Sequence, residues 1–386
     1  MGLRSCYLCL NWIFLGKDGL GGMANPAVAT NGYMDGFRQG RSDGFRVGFC
    51  DAYVGGLSQE NRIWDIHILY VTAGIGVPYP ALDQAIIDAL GEMVREKTVA
   101  MPTEDIFAIA RKVQPDVVLV LNGVVLPAEQ VEQLRRNGFR TAIWFTDDPY
   151  YTNWTNSIAP RYDYVFTLEL NCLPFYRGLG CRHVYYLPFA VNPKAFFPKH
   201  VPTSHQTDIC FIGTAFWNRV NLIDRLTPYL KDKKVVISGW WWDRLSNYSQ
   251  LANQIKLGDW MTPEETANYY NGAKIVINLH RPYDDDTINV NSLHKIEALS
   301  VNPRTFEISG CATLQLSDIR QDMENRYVPG KEIDTYRSYD ELIEKIDYYL
   351  RHEDERREVA MNGFIRTRRE HTYRQRLGEL LGRIFP

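Results

Sequence analysis

No apolar run in the sequence is long enough to cross a bilayer. The stretch Cys6–Leu15 comes nearest, but Asn11 interrupts it and it falls well short of the ~20 residues a spanning helix needs. No small-residue cleavage site marks its end, so a secretory leader is disfavoured, and Met23 offers an alternative start. A basic stripe is also missing and the net charge is −3, which argues against nucleic acid as a partner. Cysteine is scarce and irregular: seven residues, at 6, 9, 50, 172, 181, 210 and 311. Cys6 and Cys9 form a CxxC with no second pair at zinc-ligand spacing, so reduced buried thiols in a cytoplasmic protein are expected. The G-x-G-x-x-G fingerprint is absent too; Gly74 and Gly76 lack a third glycine, which disfavours a nicotinamide dehydrogenase. Asp284, Asp285 and Asp286 are the one run that suggests a divalent cation. A solvated loop is the plainer reading, and no metal or resident cofactor is expected.

What is present points to two domains. A chain of 386 residues exceeds the length at which a single core stops growing. Aromatic residues make up 13%; most belong in cores, although flat rings with polar edges also line sugar sites. Residues 1–60 read as an N-terminal appendage, helical or without fixed order. Within it Gly36, Gly40, Gly44 and Gly48 recur at helical spacing, a pattern compatible with self-association but weakened by poor helix propensity.

From residue 63 short β-rich runs alternate with helical stretches. Strands are expected at 66–71, 116–121, 141–145, 164–167 and 184–187, with helices near 81–90 and 127–137. A polar, turn-rich segment across 192–206 reads as a linker. The alternation then resumes at 208–213, 234–239, 274–279 and 312–316. Thr262, Pro263 and Glu265 spell a helix start with a capping box, and Ser338 with Glu341 spell another. The expected fold class is therefore α/β, with two doubly wound Rossmann-like domains facing across a cleft, one over 61–200 and one over 201–370.

The cleft-facing strand ends carry the candidate chemistry. Asn302 reads as an N-cap, Pro303 as the first helical residue, and Arg304 as a cation in a first turn, where the helix dipole disfavours it. That placement makes sense if an anion such as a diphosphate binds there. Glu307 lies one turn on, positioned to accept from ribose hydroxyls; a surface pair between Arg304 and Glu307 is the plain alternative. Gly213 and Gly239 end strands and would admit a ligand close to the backbone. Trp240, Trp241 and Trp242 follow directly, and three consecutive tryptophans cannot all face one core. Asp147 and Asp148, after the strand ending at Phe145, are candidate bases for an acceptor hydroxyl or simply an Asp-Pro turn. His280 ends a strand on the same side and ranks below them.

Taken together, Trp144–Tyr151, Asp208–Gly213, Ile237–Trp240, Ile275–His280, Asn302–Ile308 and His371–Arg374 resemble the CgeB-type spore maturation proteins, a glycosyltransferase-like family. The resemblance runs from about residue 63 to the C-terminus. It implies a GT-B fold in which the second domain binds a nucleotide-sugar donor and a last helix, 371–386, packs back on the first domain. Glu307 resembles the second glutamate of the E-x7-E element of retaining enzymes, whereas position 299, where the first would fall, is Leu. The implied activity is metal-independent transfer of a hexose-like sugar to a hydroxyl, on a spore-surface glycan or glycoprotein. Asp147, Asp148 and His280 would be catalytic, and Gly213, Gly239, Trp240, Asn302, Arg304 and Glu307 would hold the donor. A non-catalytic glycan-binding or spore-assembly protein, and a sugar-nucleotide epimerase, remain alternatives.

Overall fold

The computed structural model describes residues 26–57, 63–258, 260–285 and 294–386. The chain forms two compact units, Met1–Phe45 and Arg46–Pro386. In the smaller unit the described residues are helical, part of the helix Pro26–Gly56 that carries the glycine repeat. Cys6, Cys9 and Asp286 lie outside the described residues. Among the described residues no helix is long and apolar enough to cross a membrane.

The larger unit contains two lobes, each built on a six-stranded parallel sheet. The first sheet comprises β1 (Trp64–Val71), β2 (Val94–Ala100), β3 (Val117–Leu121), β4 (Thr141–Trp144), β5 (Tyr164–Thr167) and β6 (His183–Tyr186), in the order β2-β1-β3-β4-β5-β6. The second comprises β7 (Thr207–Ile212), β8 (Val235–Gly239), β9 (Ile255–Leu257), β10 (Ala273–Asn278), β11 (Leu314–Asp318) and β12 (Asp334–Tyr336), in the order β12-β11-β10-β7-β8-β9. Central strands such as β3, with the sequence VVLVL, are buried along their whole length because helices cover both faces of the sheet. In the second sheet the strand order reverses between β7 and β10. Such a switch point leaves a crevice at the C-terminal strand ends, where ligands bind in open α/β sheets.

Two crossings join the lobes, and they run side by side. The outgoing chain passes Val191 and the returning chain passes Thr372, linked by Val191 N–H to His371 O (2.9 Å) and Tyr373 N–H to Val191 O (3.3 Å). The last helix, Tyr373–Ile384, then returns Tyr373, Leu377, Leu380, Leu381 and Ile384 to the core of the first lobe, beside Ile68, Ile86 and Leu90. Thr372 and Gln375 cap it reciprocally. The two boxes expected from sequence form by half: Thr262 Oγ1 and Ser338 Oγ accept from the third helical N–H, but Glu265 turns to Asn268 and Glu341 to the Arg337 N–H.

The expected appendage is shorter than 1–60. From Arg46 onward the helix belongs to the larger unit. The Arg46 guanidinium donates to Asn271 Oδ1 (3.1 Å) and Cys311 O (2.8 Å), and Cys50 is buried against Ala312 and Phe364. Cys50, Cys172, Cys181, Cys210 and Cys311 are all buried free thiols.

Candidate active site between the lobes

A cavity of about 650 Å³ opens between the C-terminal strand ends of the two sheets. The nine residues singled out from sequence, Asp147, Asp148, Gly213, Gly239, Trp240, His280, Asn302, Arg304 and Glu307, all line it. What each side chain can do there differs.

The turns after β7 and β8 are packed backbone to backbone. Gly213 N–H donates to Ser238 O (2.8 Å), and a Cβ on Gly239, whose φ is +136°, would lie 2.2 Å from Gly213 O. Only glycine fits at 239. The tryptophan run divides as its crowding requires. Trp242 is fully buried and donates from Nε1 to Gly213 O (2.9 Å), whereas Trp241 packs on the lobe core beneath Arg244. Trp240 borders the cavity with its ring centroid 5.8 Å from that of Trp260.

The helix Arg304–Gly310 begins one residue later than expected, but Asn302 still caps it, accepting the Thr305 N–H on Oδ1 at 3.2 Å. Its amide is fixed by Asn278 at the end of β10, which accepts from Asn302 Nδ2 at 2.9 Å. Arg304 reaches across to β7 and donates from Nη1 to Ile212 O at 2.9 Å. Glu307 makes no side-chain hydrogen bond or ion pair among the described residues, so the alternative of a surface pair with Arg304 does not hold. Burial pushes its carboxyl up to about 7 against the pull of Arg304.

Arg219 was not anticipated from the sequence. It sits in the first turn of the helix Trp217–Leu230, is 2% exposed, and donates from Nε to Leu279 O (3.0 Å) and from Nη1 to Thr214 O (2.8 Å). Burial, then the neighbouring Arg304, pulls its pKa well below the ordinary arginine range. The buried Arg219 and the half-buried Arg304 hydrogen-bond only to backbone carbonyls among the described residues, which leaves an excess of positive charge at the switch point. An anion is what such a site accommodates.

On the first lobe, Asp147 Oδ2 accepts from Tyr79 Oη (2.6 Å) and Thr146 Oγ1 (2.5 Å). Asp148 is 2% exposed and both its oxygens are occupied, Oδ2 by Thr167 Oγ1 (2.6 Å) and Oδ1 by Tyr176 Oη (2.7 Å). Burial pushes it up to about 7. These bonds tie Asp148 into the lobe and leave Asp147 as the more available carboxylate. His280 is buried, with Nδ1 2.5 Å from Asp318 Oδ1. Asp285 is no solvated loop residue: it is 6% exposed and accepts the Trp217 N–H. Among the described residues no group of three His, Cys, Asp or Glu is placed to hold a metal.

Known proteins resemble this chain in sequence and in fold. The glycosyl transferase-like family matches residues 219–382. The spore protein CgeB of Bacillus subtilis is 28% identical over 301 residues, covering 78% of this chain and 93% of CgeB. The chain is thus similar to CgeB, and its residues 219–382 resemble the glycosyl transferase-like family.

Solved structures agree on the fold. Sucrose-phosphate synthase from Thermosynechococcus elongatus has a TM-score of 0.56 at 13% identity, over 83% of this chain and 99% of its own. Anabaena HepE in complex with UDP-glucose has a TM-score of 0.57 at 8% identity, over 82% and 99%. The fold is GT-B, with two Rossmann-like lobes and a C-terminal helix returned to the first. The matched family segment contains Arg219, His280, Arg304 and Glu307. At Leu299, the backbone is held from the other lobe. Glu169, 1% exposed, accepts the Leu299 N–H on Oε1 (3.0 Å) and the Ser300 N–H on Oε2 (3.1 Å).

Proposed function

We propose that the chain transfers a sugar from a nucleoside-diphosphate donor to a hydroxyl acceptor in the cleft. The observation that carries this reading is the pair Arg219 and Arg304, which converge at the β7–β10 switch point beside the close-packed Gly213 turn with no carboxylate in hydrogen-bond reach among the described residues. The guanidiniums receive the diphosphate and offset the charge that develops on it as the glycosidic bond breaks. Glu307, free to accept, holds the ribose hydroxyls, and Trp240 offers a flat face to the nucleoside. Because two fixed cations supply the charge, the reaction is proposed to proceed without a divalent metal.

Acceptor activation falls to the groups at the seam of the two lobes: Asp147, Asp148 and His280. Of these, Asp148 has both oxygens committed to Thr167 and Tyr176, which suits it to shaping the loop that presents Asp147. The likeness to a spore protein supports a glycan or glycoprotein of the spore surface as acceptor.

A coupled assay for UDP release from UDP-glucose tests the reading. UDP release that persists in EDTA is expected. Leu299, where the resemblance to retaining enzymes would place a glutamate, favours the second reading, a binding protein that kept the fold; tight UDP binding with no turnover of any nucleotide sugar, with or without acceptor, would establish it.

A further inference from the structure

We infer that His280 and Asp318 act as a proton-accepting dyad, in which the Asp318 carboxylate holds the His280 ring so that Nε2 takes the proton of the attacking hydroxyl. This rests on the transfer reading above and assigns the base within it.

The two residues are brought together by adjacent strands. Asp318 is the last residue of β11, and His280 lies two beyond the end of β10, with Asn278 paired to Ser317. Asp318 Oδ1 accepts both the His280 backbone N–H (2.9 Å) and Nδ1 (2.5 Å), while Asn218 Nδ2 donates to His280 O (2.7 Å). The residue is therefore held at three points, two on its backbone and one on the ring. An ionised carboxylate has only lone pairs to offer, so Nδ1 carries the hydrogen and the lone pair of the neutral ring sits on Nε2. That atom is buried, makes no hydrogen bond to any described residue, and belongs to a residue lining the cavity. A buried acceptor left unpaired is destabilising, a cost that an incoming hydroxyl relieves.

The charges around the ring suit a base that is neutral before reaction. Burial lowers the His280 pKa, and Arg320 and Arg304 lower it further, while Asp318 opposes them. Arg219, bonded to the adjacent Leu279 O, adds to the cationic surroundings, and Arg281 is next in sequence. Asp318 supplies the negative charge that makes a transient imidazolium tolerable at this position; Arg320 Nε lies 3.6 Å from its other oxygen. Asp147, by contrast, already accepts two hydroxyl hydrogens on Oδ2, which suits it to orienting a substrate hydroxyl.

The step balances as follows. The acceptor oxygen forms a bond to the anomeric carbon as its proton passes to Nε2. The anomeric C–O bond to the diphosphate breaks, and its electron pair leaves with the nucleoside diphosphate between Arg219 and Arg304. The imidazolium then returns its proton to solvent.

The test follows UDP-glucose turnover with water as acceptor, across pH, in the full chain and in His280→Gln, Asp318→Asn and Asp147→Asn, together with the ¹⁵N spectrum of the histidine rings. His280→Gln should lower kcat by about 10²-fold or more and abolish the acid limb of the profile. Asp318→Asn should lower kcat similarly, leave the donor KM within about twofold, and move the acid limb to lower pH. The His280 ring should show the Nδ1–H tautomer. An acid limb that stays in place in Asp318→Asn, a limb that vanishes in Asp147→Asn but not in His280→Gln, or an Nε2–H tautomer would each overturn the dyad. UDP-glucose that binds without turning over would contradict the transfer reading instead, and the tautomer would still decide the dyad.

Discussion

The Arg304 guanidinium occupies the space that a side chain at Gly213 would need: a Cβ built on Gly213 falls 2.5 Å from Arg304 Nη1 and 3.2 Å from Arg219 Nη1. The glycine turn after β7 and the two arginines therefore form one device, with backbone and guanidiniums as close as a small-molecule anion requires. Gly213→Ala should push both guanidiniums aside. The guanidiniums are the ends of flexible side chains and can give way, but the φ of +156° adds backbone strain of about 1–3 kcal/mol; UDP affinity should fall about tenfold, equivalent to ~1.4 kcal/mol, beside a modest drop in thermal midpoint.

Gly239→Ala should cost more stability. Its Cβ meets the Gly213 carbonyl at 2.2 Å, and backbone cannot swing away. With left-handed strain added, a loss of about 2–4 kcal/mol in a denaturant titration is expected, and a midpoint unchanged from wild type would show that the two turns are not packed as described.

The acidity of Glu307 makes nucleotide binding depend on pH. Burial raises its carboxyl to about 7, so it is largely protonated at pH 6 and ionised at pH 8. The ionised form is the better acceptor for ribose hydroxyls, and UDP affinity should rise across that interval. Glu307→Gln, measured alongside by calorimetry, should remove this part of the rise and leave only the part due to the nucleotide's own phosphate.

Asp148 should act on stability instead. Its folded pKa, raised to about 7 by burial, exceeds the ~3.9 of an unfolded aspartate. The folded state thus holds the proton after the unfolded state has released it. The stability linked to this group is complete below about pH 4 and is lost as pH rises to about 7. Asp148→Asn should flatten the decline in thermal midpoint over that range.

Within the larger unit, Arg46 joins the helical stretch that begins with it to the second lobe through hydrogen bonds to Asn271 and Cys311. Arg46→Ala should cost about 2 kcal/mol of unfolding free energy, within the range for charged hydrogen bonds, without altering UDP affinity.

The sequence carried the architecture because buried parallel strands announce themselves as unbroken apolar runs. β1, β3, β5, β7 and β10 fall within two residues of their expected limits. β2 was illegible for the opposite reason: Val94–Ala100 reads VREKTVA, an edge strand whose polar residues face solvent. β9 and β12, three residues each, are too short for any pattern to register. The site was legible wherever glycine, proline or a misplaced charge broke a rule. Arg304 stood out as a cation in a first turn. Arg219 sends that same signal after the Gly213–Phe216 turn, but there it was masked by an otherwise amphipathic helix. Neither the pairing of His280 with Asp318 nor the grip of Glu169 on Leu299 had any local signature, because each partner is remote in sequence and joined only by the sheet or by the meeting of the lobes.

Calorimetric titration of UDP into the wild type and into Arg219→Ala and Arg304→Ala tests the account most directly. Each substitution should weaken binding by about 10- to 100-fold, the worth of a charge-assisted hydrogen bond of about 1.5–3 kcal/mol, with the folded state intact by circular dichroism. Affinity equal to wild type in both variants would contradict it.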